Sequence, residues 1–187
     1  MKLSPLKRLG LWIVAIVSMI GAILLLWSAG LPNKAEYSGI FVDGLGFVAP
    51  EIGEFAPPFM AQTPYSQMIS LADFQGESVI INFWATWCVP CAIEMPELQT
   101  LYEETNTAIL AVNIGESPHI VAEWVNRYSL TFPIVLDPQQ AIYSQYRIIG
   151  QPTTFVIAPD GIISHIFYGA TTFEALQRAL ETHQANG

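Results

Sequence analysis

The sequence predicts an α/β fold, a mixed sheet flanked by helices and preceded by one N-terminal transmembrane helix. Three observations carry this. An uncharged run from Leu9 to Leu31 follows a basic start at Lys2, Lys7 and Arg8. Beyond it, short apolar runs alternate with stretches of helical period in the order β-α-β-α-β-α-β-β-α, which asks for helices on both faces of a sheet. Where the main strand meets the first helix stands Trp84-Ala85-Thr86-Trp87-Cys88-Val89-Pro90-Cys91, holding both cysteines of the chain.

The apolar run is 23 residues long, about 34 Å as a helix at 1.5 Å per residue, enough to span a bilayer. Trp12 and Trp27 stand near its ends, as interfacial anchors do. Residues 1–8 form a basic tail on the cytoplasmic side and 9–31 the anchor. The positive-inside rule then puts the rest of the chain outside the cytoplasm, on the periplasmic or extracellular side. A signal peptide cleaved after Gly30 is the rival reading. Its apolar core would run to about 7–15 residues, and Trp27-Ser28-Ala29 is not an A-x-A site, so an uncleaved signal anchor is preferred.

Residues 32–50, with Pro32, Gly39, Gly44, Gly46 and Pro50, carry no sustained period and read as a linker. The domain then covers 51–187. Gly53-Glu54-Phe55-Ala56-Pro57-Pro58-Phe59 is extended, because consecutive prolines fix φ and disfavour helix before them. Met68 to Leu71 is a short strand, and Ser78 to Trp84 a buried one. A helix follows the cysteines to about Thr105, with Pro96 expected to kink it. Ala108 to Ile114 is a second buried strand. Ser117 caps a helix to Tyr128, with Pro118 in its first turn and Ile120, Val121, Trp124 and Val125 as its apolar stripe. Phe132 to Leu136 is a strand, and Gln139 to Tyr146 a short helix. Thr153 to Ala158 and Ile162 to Tyr168 form a hairpin around Pro159-Asp160-Gly161. Thr171 or Thr172 caps a last amphipathic helix through His183.

The net charge of −9 conceals an asymmetry: after the span, four basic residues face sixteen acidic ones, a balance near −12. That argues against nucleic acid and anionic lipid surfaces as partners and suits a basic protein, although an acidic surface more often serves simple solubilisation. Outside the cytoplasm disulfides persist, yet the single C-x-x-C leaves no cysteine for stapling the fold. A gap of two residues closes almost no loop, so the pair adds little stability. Zinc would need two further ligands, and His119, His165 and His183 show no paired spacing, so no metal is expected. Thiol redox chemistry remains. The first helical turn has unpaired N–H groups and partial positive charge, which favours a thiolate at Cys88.

W-A-T-W-C-V-P-C, the late Gly150-Gln151-Pro152-Thr153-Thr154-Phe155 and the Gly53-x-x-Ala56-Pro57-x-Phe59 segment together resemble the thioredoxin superfamily over roughly residues 51–183. Within it the chain is most similar to the membrane-anchored TlpA/ResA-like thiol–disulfide oxidoreductases, relatives of the cytochrome c maturation thioredoxins. The resemblance implies a thioredoxin-like domain in which Cys88 is the exposed nucleophile and Cys91 the buried resolving thiol. It implies a cis Pro152 beside the dithiol, with Trp87, Val89, Pro90 and Gln151 also bordering the substrate; read alone, Pro152 would be a trans proline opening a strand. No cofactor is needed beyond the redox-active Cys88–Cys91 disulfide. Partners would be disulfide-bearing proteins, apocytochrome c among them, and a membrane electron donor that re-reduces the pair in an oxidising compartment.

Thioredoxin places a buried aspartate six residues before its first cysteine; here that position is Asn82, which cannot titrate. Glu94 offers a replacement. It shares a helical stripe with Leu98 and Leu101, so its carboxyl faces apolar surroundings, where its pKa would rise and it could exchange protons with Cys91. ResA-like proteins carry a glutamate there. The plainer alternative is an exposed first-turn glutamate favouring the helix dipole. Glu116 either borders the cleft or is a solvated loop carboxylate. Trp84 reads as core.

Two other functions compete. A copper chaperone or metallocentre-assembly protein would use the soft thiolates for Cu(I). A peroxiredoxin-like peroxidase would need P-x-x-x-T-x-x-C, whereas Thr86 stands two residues before Cys88.

Overall fold

A computed structural model of the protein describes residues 16–21, 40–42 and 46–184. Residues 16–21 are helical; the rest of the predicted span and most of residues 32–45 lie outside the described residues. Among the described residues no helix is long and apolar enough to cross a membrane.

The centre of the domain is a five-stranded sheet. Its strands are β5 (Val79–Trp84), β6 (Ala108–Ile114), β7 (Ile134–Asp137), β8 (Thr153–Ile157) and β9 (Ile163–Tyr168), in the order β7-β6-β5-β8-β9. β5, β6 and β7 run parallel, while β8 is antiparallel to β5 and β9 to β8. Every residue of β5 is buried, as expected of a central strand covered on both faces.

The parallel crossovers are α1 (Val89–Thr105) and α2 (Pro118–Arg127). With α4 (Phe173–Gln184) they bury one face of the sheet around Ile80, Trp84, Leu98, Trp124, Val156 and Leu176. The other face packs Ile81, Phe83, Leu110 and Phe155 against the short α3 (Ala141–Gln145) and against Ala56 and Phe59 from the proline-rich segment. Tyr146 joins this second core and ties it to that segment, its hydroxyl donating to Pro57 O at 2.7 Å. Two small hairpins precede the sheet, β1 (Ile40–Val42) with β2 (Gly46–Val48), and β3 (Met60–Gln62) with β4 (Met68–Ser70).

Several boundaries move for identifiable reasons. Residues 46–49, within the stretch read as linker, pair with the fold: Val48 bridges Phe55, and Ala49 N–H donates to Phe55 O at 3.1 Å. Three-residue strands are too short to show a period. β7 starts at Ile134 and not Phe132, since Pro133 has no N–H for the ladder. It extends to Asp137, whose carboxylate accepts from Ala141 N–H and Tyr143 N–H, both at 2.8 Å, and so anchors α3. α1 continues through Pro96 as one helix. Ser117 takes the N-cap position of α2 without a side-chain bond, and Thr172 Oγ1 accepts from Ala175 N–H at the start of α4. The stripe of α2 is Val121, Trp124 and Val125; Ile120 is 49% exposed. A ten-residue helix on a sheet buries a narrow face, and Ile120 lies at its edge.

Candidate active site

β5 ends at Trp84, and four residues later Cys88 is the N-cap of α1. The sequence dictates the break: Pro90 suits the first turn of a helix, where its missing N–H costs nothing. Cys88 and Cys91 form a disulfide with their Cα atoms 5.2 Å apart. The Cys91 N–H donates to Cys88 Sγ at 3.2 Å. In the reduced state that orphan helix donor, with the positive end of the helix behind it, favours a thiolate on Cys88.

Cys88 is the more accessible sulfur, but at 5% exposure against 0% for Cys91 it is not the open nucleophile that the family resemblance implies. The loop from Gly150 to Thr153 covers it: Gln151 O stands 3.6 Å from Cys88 Sγ, and the Gln151–Pro152 bond is cis. Gln151 is half-buried and Pro152 buried, while Trp87, Val89 and Pro90 stand exposed on the cysteine turn. Ile149, just before the covering loop, is 90% exposed.

One turn along α1 from Cys91 lies Glu94, with no exposed surface. Its Oε2 accepts from Asn82 Nδ2 at 2.8 Å. Its Oε1 accepts from Thr154 Oγ1 at 3.1 Å and from Thr171 N–H at 3.3 Å. Loss of water raises its pKa to about 7, and the three donors oppose that rise. The exposed first-turn alternative is therefore wrong: Glu94 is an interior carboxyl poised to gain or lose a proton near neutrality. Asn82, at the position of thioredoxin's aspartate, does not titrate but donates to the carboxyl that does.

Glu116 is neither free nor merely solvated. Its carboxylate grips the cysteine loop, accepting from Thr86 N–H at 2.8 Å, from Thr86 Oγ1 and from Asn113 Nδ2 at 2.7 Å. Gly115, at φ +70°, turns the chain out of β6 so that Glu116 can reach back. A Cβ there would meet Gln140 Nε2 at 3.0 Å. Trp84 is core, its ring 4.7 Å from that of Trp124. The hydrogen-bonding roles of Thr86, Asn113 and Thr154 have no signal in the sequence, since a hydroxyl or amide gains its role only from the partner that folding supplies. Among the described residues no group of three or more His, Cys, Asp or Glu is arranged to hold a metal ion.

Comparison with known proteins agrees with this geometry. A model of the AhpC/TSA family matches residues 52–166. The chain is 37% identical over 164 residues to the thiol-disulfide oxidoreductase ResA of Geobacillus kaustophilus, covering 86% of this chain and 92% of that one. It is 36% identical to ResA of Bacillus anthracis, over 85% of this chain and 92% of the relative. The crystal structure of StoA from Bacillus subtilis superposes with a TM-score of 0.58 at 30% identity, over 66% of this chain and 96% of StoA.

Proposed function

We propose, from the premise that this chain belongs to the AhpC/TSA family and, within it, to the ResA-type thiol–disulfide oxidoreductases, that it is a membrane-anchored reductase of selected protein disulfides outside the cytoplasm. The observation that carries the catalytic part is the buried Glu94 one helical turn beyond a disulfide set at a helix N-terminus.

In the reduced protein the Cys88 thiolate attacks one sulfur of a substrate disulfide. A mixed disulfide forms, and the other substrate sulfur leaves as a thiolate that takes a proton from water. Cys91 gives its proton to the Glu94 carboxylate and, as thiolate, attacks Cys88 Sγ. The second substrate thiolate departs and is protonated, and Cys88–Cys91 is left oxidised. Two electrons pass from the dithiol to the substrate. Trp87, Val89, Pro90, Gln151 and Pro152 would border the bound segment.

The location rests on the apolar run 9–31 behind three basic residues. An oxidising compartment makes a membrane electron donor necessary for the next cycle. Apocytochrome c, whose haem-site cysteines must be reduced, is the substrate the relationship suggests. A peroxidase has less support, because the Thr86 hydroxyl is taken up by Glu116.

A redox titration of the full-length protein in detergent, followed by fluorescence of Trp84 and Trp87, tests the assignment. A midpoint below about −230 mV is expected of a reductase, whereas one near about −120 mV would make the protein a disulfide donor. With a disulfide substrate, Cys91→Ser should accumulate the mixed disulfide through Cys88, and Cys88→Ser should form none.

A further inference from the structure

We propose that Thr154 is a positioning residue for the thiol–disulfide reaction: its hydroxyl, held by Asn82, is aimed at Glu94 and keeps that carboxyl able to accept the Cys91 proton. The inference rests on the reading of Glu94 as the acid–base group.

The register of the sheet brings the pieces together. Asn82 on β5 and Thr154 on β8 are direct cross-strand partners, so their side chains project from the same face, the one α1 covers. Asn82, Glu94 and Thr154 are all fully buried. Asn82 Nδ2 carries two protons; one goes to Glu94 Oε2 and the other to Thr154 Oγ1, each at 2.8 Å. The hydroxyl oxygen thus already accepts, and its own proton is directed at Glu94 Oε1, 3.1 Å away. The three side chains close a ring in which every donated proton has one destination.

This arrangement does more than fill space. Valine has the shape of threonine and would suit a buried strand equally well, but it would leave Glu94 Oε1 with the longer Thr171 N–H contact alone. A hydrogen bond donated to a carboxylate stabilises its charged form. The titratable and charged groups on the elements around Glu94 include Cys91, Glu97, Tyr102, Glu103 and Glu104 on α1, His165 and Tyr168 on β9, and Glu174, Arg178 and Glu181 on α4. Glu97 accepts from Phe173 N–H at 2.9 Å. Burial and the three donors account for the displacement of Glu94.

The test uses the full-length protein in detergent, reduced, with Thr154→Val and Thr154→Ser variants. Two readouts are followed from pH 5 to 9: the infrared band of the Glu94 carboxyl, assigned by its loss in Glu94→Gln, and the single-turnover rate of Cys91 resolving a mixed disulfide between Cys88 and a small aromatic thiol. Thr154→Val should move the carboxyl titration and the acid limb of the rate upward by about one pH unit. At pH 7 the resolving step then slows about five-fold. Thr154→Ser, which keeps the hydroxyl, should restore both. A Thr154→Val protein with native circular dichroism and an unmoved carboxyl titration would overturn the proposal, and so would a shift that serine fails to reverse. If the carboxyl titration moves and the rate profile does not, Thr154 still positions Glu94, but the acid–base reading of Glu94 fails.

Discussion

A carboxyl group with no exposed surface holds its proton further up the pH scale than one in water, and folding stability must register the difference. Glu94 has a pKa of about 7 in the folded protein against 4.5 for the free side chain. The folded state therefore binds the extra proton between those values, and stability falls as pH rises through that window. Urea unfolding at pH 4 and pH 8 should show wild type losing roughly 3 kcal/mol more than Glu94→Gln, which cannot ionise. Equal losses would mean that Glu94 is not held protonated. Glu116 offers a different test at this scale. Replacing it with alanine strands the Thr86 N–H, the Thr86 hydroxyl and the Asn113 amide, a cost of about 1–3 kcal/mol. Faster amide hydrogen exchange at Thr86 should accompany it, and unchanged exchange there would show that the clamp does not hold the loop.

Among the elements, α1 carries both the chemistry and much of the core. Its buried side is Cys91, Glu94, Met95, Leu98 and Leu101, a stripe at helical spacing that fastens the disulfide to the sheet. Leu98→Ala should cost about 2–5 kcal/mol, as expected for a cavity in a close-packed interior. Ile120→Ala, on the exposed side of α2, should stay within about 0.5 kcal/mol. Chemical denaturation of the two variants separates them, and comparable losses would refute the burial pattern assigned to α2. The turn after β6 is a third check. Gly115→Ala places a side chain at φ +70° and against Gln140, so it should cost about 1–2 kcal/mol. It should also disturb Glu116 next door.

For the whole molecule the dominant long-range property is charge. The part after residue 31 has a balance near −12, while the exposed rim of the cysteine turn is apolar at Trp87 and Val89. Attraction over distance then comes from the acidic surface, and close contact from the uncharged rim. Reduction of a basic disulfide peptide should slow by about ten-fold as salt is raised from low to high concentration, and that of an acidic peptide should quicken. The same salt dependence for both peptides would remove steering from the account.

What the sequence determined by itself was everything encoded in neighbouring residues. Strand and helix order followed from period. The cysteine turn was marked by Cys88, Pro90 and Cys91, and the buried stripe under Glu94 by its spacing to Leu98 and Leu101. What only the tertiary structure decided was partnership across distance. Whether Glu94 meets Thr154, or Glu116 reaches Thr86, depends on which strands pair and in what register, and no contiguous window holds that information. Nor could a sequence pattern show that residues 46–49 join the fold through Phe55. Side-chain period reports which face of an element is apolar. A polar side chain acquires its function from the one group that packing brings within hydrogen-bonding reach, and that choice is made when the sheet closes around β5.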